Sequence, residues 1–282
     1  MNRASLEPAP SLASTRFERD TAVRRIGPGV YEVSIDRGWW ISRGPNGGYV
    51  AALVLRALTA QVGDPERAVR SLSVHFPSAP AEGCARIETR TERSGRSLTT
   101  VSATLVQEGR TCALALAAFS RPRAAPELQA AELPRVSPPE ACPAPEPAAI
   151  PIPLRERYES RVALAPALPG EAPIARAGGW IRLCEPQPAD ACVIAALCDA
   201  WPPTLMGHAW PEGYRAPLGF PTVDLTVHFR CALPLPHHDP AAYHLVQFST
   251  QLVRDGFVDE EGEIWTPDGQ LIAQSRQLGV LL

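Results

Sequence analysis

Asp199 closes the run Cys192-Val193-Ile194-Ala195-Ala196-Leu197-Cys198, a segment built for burial. An unpaired buried carboxylate costs several kcal/mol, so an acid at the end of an apolar helix has to be held or solvated. Taken alone it reads first as a capping or helix-end aspartate facing solvent. Other chemistry-bearing groups are few. Asp224 and His228 follow Thr222 by two and six residues and share its strand face by the period of two, which tempts a reading as an acid–histidine pair. His75 holds the equivalent place earlier in the chain without the acid pattern, so both histidines read as structural. His237-His238-Asp239 lies in a proline-flanked loop, without the His/Cys spacing of a metal site. No G-x-S-x-G elbow occurs. All 27 basic residues are arginine, which removes Schiff-base, Ser–Lys and P-loop lysine chemistry.

The elements around Asp199 occur twice. Leu72–Phe76 (LSVHF) reappears as Leu225–Phe229 (LTVHF), an offset of 153. The stretch VQEGRTCALALAAFS (106–120) is matched by TPDGQLIAQSRQLGV (266–280), an offset of 160 from Gly109 to Gly269. Ala51-Ala52-Leu53 lies over Ala195-Ala196-Leu197, an offset of 144. Each half therefore reads as an apolar helix, a strand ending in His-Phe, and long strands joined at RSGR or RDGF and at EGR or DGQ, which are hairpin signals. Strands are also expected at 29–36 and 174–183. Between the halves, residues 121–153 contain ten prolines and read as an extended linker. The expected domains are 1–120, the linker 121–153, and 154–282. A helix followed by an antiparallel sheet long enough to wrap it is an α+β unit.

The offsets let one copy be read against the other. Asp199 lies over Leu55, Thr222 over Val69 and Gln277 over Ala117. An acid, a hydroxyl and an amide in the second copy thus replace three apolar residues of the first, where a scaffold asks for core. Local breaks with fold-level consistency are where function is expected.

The whole pattern, from GPNGGYVAALVLRAL (44–58) through LSVHF to WTPDGQLIAQSRQLGV (265–280), resembles the acyl-CoA thioesterase II (TesB-like) family and its double-hotdog fold. The resemblance implies two tandem repeats, each a central helix wrapped by an antiparallel sheet. It also implies hydrolysis of an acyl-CoA thioester by a water that Asp199, Thr222 and Gln277 hold and activate. Asp199 would take the water's proton, with apolar neighbours raising its basicity. Thr222 and Gln277 would position it. Backbone N–H groups at the first helix start, near Asn46, Gly47, Gly48 and Tyr49, are candidates for substrate binding and the oxyanion; the glycines also suit a tight turn and close packing. The family's GGQ stands here as Gly47-Gly48-Tyr49, a departure that bears on the acyl pocket.

Two rival readings are a non-catalytic acyl-binding module and a hydratase or dehydratase, which would use an Asp/His pair. The expected partner is an acyl-CoA substrate, with a homo-oligomer of two or more chains and no cofactor or metal. Net charge of −3 gives no basic surface for nucleic acid or anionic membrane. Seven cysteines without C-x-x-C point to a reducing cytoplasm. No signal peptide or membrane span is expected. Trp39, Trp40, Trp201, Met206 and Trp210 are candidates for an acyl channel and Arg43, Arg93 and Arg254 for CoA phosphates, although core packing and solvation are the simpler roles for each.

Overall fold

In the computed structural model, residues 14–148, 150–164, 175–206 and 219–282 are described; Trp210 lies outside them. The first half runs α1 (Arg16–Asp20), β1 (Arg24–Gly27), β2 (Val30–Ile35), α2 (Gly47–Val62), β3 (Ala68–His75), β4 (Gly83–Ser94), β5 (Leu98–Gln107) and β6 (Arg110–Ser120). The second runs β7 (Tyr158–Leu164), β8 (Ala175–Leu183), α3 (Ala191–Leu197), β9 (Thr222–Phe229), β10 (His244–Thr250), β11 (Val253–Arg254), β12 (Phe257–Trp265) and β13 (Leu271–Val280). All strand pairings are antiparallel, in the order β1-β2-β4-β5-β6-β3-β9-β13-β12-β10-β8-β7, with β11 pairing β12.

The two halves meet along β3 and β9. Ser73 is opposite Thr226, 153 residues later, and the Thr226 hydroxyl donates to Ser73 Oγ at 3.0 Å. This seam is the axis of the repeat, because pairs on either side exchange under the offset. The hairpins sit at the Gly-containing turns. Glu108-Gly109 and Asp255-Gly256 both take positive φ, which matches the twist of their flanking strands.

Helix α2 is apolar on most faces because it is enclosed. Residues 48–55, 57 and 58 are all buried, and α2 packs on β4, β5, β6 and α3. Asn46 caps its start, accepting from Tyr49 N–H at 3.1 Å. Left-handed Gly63 ends it. The second helix is much shorter. α3 stops at Leu197, so Asp199 stands in the turn beyond the helix rather than within it, unlike Leu55 in the interior of α2. Pro202-Pro203 follow immediately. They supply no N–H donors, and Pro202 disfavours helical geometry at Trp201.

The proline-rich segment is a strap. Residues 121–148 and 150–152 form no strand and only one short 3₁₀ turn. Leu133 and Val136 pack on a cluster of Trp180, Leu245, Trp265 and Leu271. Trp180 Nε1 donates to Ser137 O at 2.8 Å, and Gln129 bonds both Gly269 O and Leu271 N–H. No helix of the described residues is long and apolar enough to cross a membrane.

Candidate active site

Helices α2 and α3 pack together, with the α2 N-cap reaching the turn just past the end of α3 and the α3 N-cap reaching the middle of α2. Asn46 donates from Nδ2 to Asp199 Oδ2 at 2.8 Å and to Asp199 O at 2.6 Å. Gly48 N–H donates to the same Oδ2 at 3.0 Å. At the equivalent place Asp190 caps α3, accepting from Val193 N–H at 2.9 Å, and pairs with Arg56 at 2.7 Å. The approach at Asp199 requires glycine. A Cβ on Gly48 would lie 2.5 Å from Ala196 O and 3.0 Å from Asp199 Cβ.

Burial drives the Asp199 carboxyl up to about 6. Hydrogen bonds from Gly48 N–H, Gln277, Gly47 N–H and Asn46 oppose this. The positive end of α2 therefore points at the acid. The N–H of Gly48, expected as an oxyanion donor, is committed to Asp199. Tyr49 is placed elsewhere: it is fully buried, stacked on Trp39 at 5.1 Å, and its hydroxyl donates toward Asp20 O at 2.8 Å. It is a core residue of the first half and does not join Asp199.

Thr222 and Gln277 reach the site through a β-bulge. Leu225 is opposite Gln277 and Asp224 opposite Leu278, but Thr222 is opposite Gly279. Val223 is the extra residue. The bulge turns Thr222 onto the inner face with Leu225 and Gln277. Asp224 and His228 stay on the opposite face, so the expectation that they share a face with Thr222 is overturned. Period-two counting cannot see a bulge. Asp224 lies 3.9 Å from His75 across the seam, and His228 is exposed. The acid–histidine pair that a hydratase would use therefore does not face Asp199. The first copy has the same bulge: Val69 is opposite Phe119 and Ser71 opposite Ala118.

The Thr222 hydroxyl donates to Gln277 Oε1 at 3.0 Å. The Gln277 side chain also lies beside Asp199 and helps to hold its carboxyl down. The structure thus joins Thr222 to Gln277 by a hydrogen bond and sets Gln277 beside Asp199, all three partly exposed. Their counterparts Leu55, Val69 and Ala117 are buried core.

A fourth polar group escaped the sequence comparison. Glu260 is buried, and its Oε1 accepts from Gln277 Nε2 at 2.9 Å while its Oε2 accepts from Thr204 N–H at 2.9 Å. Burial and nearby Asp199 push its carboxyl up to about 7. Register reveals its counterpart: Glu260 is opposite Gln277 as Val101 is opposite Ala117. The β12–β13 hairpin is one residue longer than β5–β6, so the offset of 160 lays Glu260 over Thr100, a polar residue, and hides the substitution.

The remaining candidates stay apart. Trp39 and Trp40 are core, Trp201 packs over Gly179, and Met206 is exposed. Arg43, Arg93 and Arg254 are exposed. Asp239 accepts from Ala241 N–H of its own loop. Among the described residues, no three His, Cys, Asp or Glu side chains are placed to hold a metal.

Known proteins agree with this architecture. A putative thioesterase II from Thermobifida fusca superposes with a TM-score of 0.77 at 29% identity, covering 96% of this chain and 99% of that one. A hot dog fold protein of unknown function from Alicyclobacillus acidocaldarius gives 0.82 at 26%, with the same coverage. The thioesterase-like protein TwmA of Talaromyces wortmannii is 25% identical over 96% of this chain and 93% of its own. The family model for the acyl-CoA thioesterase N-terminal domain matches residues 36–120, and that for the C-terminal domain matches residues 138–281. With more than half of its length under the second model alone, the chain belongs to the acyl-CoA thioesterase family and is a thioester hydrolase of hotdog type.

Proposed function

We propose that Asp199 is the general base of this thioesterase and that Thr222 and Gln277 hold the water it activates. Water oxygen adds to the thioester carbonyl carbon as Asp199 takes one of its protons. The tetrahedral oxyanion collapses, the C–S bond breaks, and the leaving CoA sulfur receives the proton from Asp199. Products are the carboxylic acid and CoA thiol. Asp199 suits the role because burial raises its basicity while the Asn46 and Gly48 donors keep an ionised form accessible. Asn46, Gly47 and Gly48 serve it by holding the carboxylate at the start of α2, not by binding the oxyanion.

One observation carries this reading. The acid, hydroxyl and amide meet at a single partly exposed point whose repeat-related positions are packed with Leu, Val and Ala. The same repeat supports a double hotdog, in which residues 1–120 and 154–282 each supply a helix and a curved sheet joined by the strap 121–153. Purified protein is incubated with acetyl-, octanoyl-, palmitoyl- and benzoyl-CoA, and free thiol is followed. Release from at least one, without added metal or nucleotide, is expected. No release from folded protein would favour a binding role.

A further inference from the structure

The carboxamide of Gln277 has two ends of opposite polarity, and only one orientation leaves an N–H for the Asp199 side of the site. Thr222 cannot choose that orientation, because a hydroxyl rotates and either donates or accepts. Asp199 is the group being served. Glu260 is different. An ionised carboxylate only accepts, and its two oxygens face two donors: Thr204 N–H at Oε2 and Gln277 Nε2 at Oε1. Turning the carboxamide over would set its oxygen against Glu260 and Asp199 together.

We propose that Glu260 is a positioning residue of the hydrolytic site, fixing the Gln277 carboxamide with its oxygen on Thr222 and its nitrogen toward Asp199. The inference rests on the Asp199, Thr222 and Gln277 reading above. Glu260 itself does not touch substrate, since it is buried behind Gln277 on the adjacent strand. A buried acid has no use as packing here, because the first copy fills the same position with fully buried Val101. The salt bridges among the described residues include none to Glu260; among those residues its carboxylate is held by the Thr204 N–H and Gln277 Nε2 hydrogen bonds. Such a group is costly to bury and is kept where it orients another.

The test is steady-state kinetics at pH 8 on the acyl-CoA that the wild type hydrolyses best. In Glu260→Gln, a single oxygen must serve two donors. The backbone N–H of Thr204 is fixed and takes it, so the new NH₂ faces Gln277 and turns its carboxamide over. kcat should fall about 10-fold or more, the worth of one misdirected hydrogen bond, with KM within about 2-fold. Glu260→Val places the residue type that the first copy already accommodates and should also lose kcat. The double variant Glu260→Gln with Gln277→Ala should be no slower than Gln277→Ala alone, because both act through one group. Wild-type kcat in both Glu260 variants, or penalties that multiply in the double variant, overturns the proposal. Gln277→Ala and Asp199→Asn are measured alongside. If these two are impaired and the Glu260 variants are not, only this inference falls. If they retain wild-type rates, the reading of the site falls with it.

Discussion

Asp199 carries opposing demands at a single residue. A base must be ionised to work, yet the packing that raises its basicity penalises the ion. The activity should therefore rise with pH through about 6, where its carboxyl titrates, and a pH profile of kcat/KM reads this directly. Asp199→Asn keeps the size and removes the base. It should lower kcat by about 10²-fold or more, with smaller losses for Thr222→Val and Gln277→Ala, whose proposed role is to position the water. Wild-type rates in Asp199→Asn would remove it as the base. Stability should show the reverse trend. The folded carboxyl, raised above its unfolded value near 4, keeps a proton that the unfolded chain has already released. Its contribution is full below about pH 4 and is lost as pH rises through about 6, amounting to about 3 kcal/mol at most. Thermal unfolding of the wild type should weaken across that window more than that of Asp199→Asn. Parallel curves for the two proteins would contradict this.

At the scale of elements, the site depends on two devices. One is the contact of the α2 start with the α3 end, which exists because residue 48 has no side chain. Gly48→Ala adds a Cβ at 2.5 Å from the backbone carbonyl of Ala196. Backbone cannot swing aside as a flexible side chain does, so the helices must separate. The variant should lose about 2 kcal/mol or more of stability, in the range for overpacking, and activity should fall because Asp199 loses its Gly48 donor. Denaturant melts with thiol release would check both; an unchanged melt and rate would show that the helices can part freely. The other device is the β9 bulge, without which Thr222 would face away from Gln277.

The whole molecule is a repeat whose two copies differ at the proposed site. Leu55, Val69, Val101 and Ala117 occupy the places of Asp199, Thr222, Glu260 and Gln277 and are nearly or wholly inaccessible. Arg56 and Asp190 pair where the first helix start holds Asn46 against Asp199. One active site per chain is expected, and titration with a non-hydrolysable acyl-CoA analogue should saturate at one equivalent. Leu55→Asp should unfold or weaken the chain rather than add a site, since it buries an acid without the asparagine and glycine donors. Two equivalents bound, or added activity in Leu55→Asp, would count against this.

The repeat, its helix–strand–hairpin order and the three polar replacements were legible in the sequence, because local pattern and turn chemistry act over a few residues and the two copies supplied their own comparison. Glu260 was hidden by one extra residue in a hairpin, and the shared face of Asp224, His228 and Thr222 was misread because a bulge changes the count of two. The short α3, the loss of Tyr49 to the core and the strap over Trp180 likewise came only with the fold. Offsets along a chain record order. Which side chains converge is decided by register, bulges and the close approach of helices, and these are set by contacts between residues far apart in sequence.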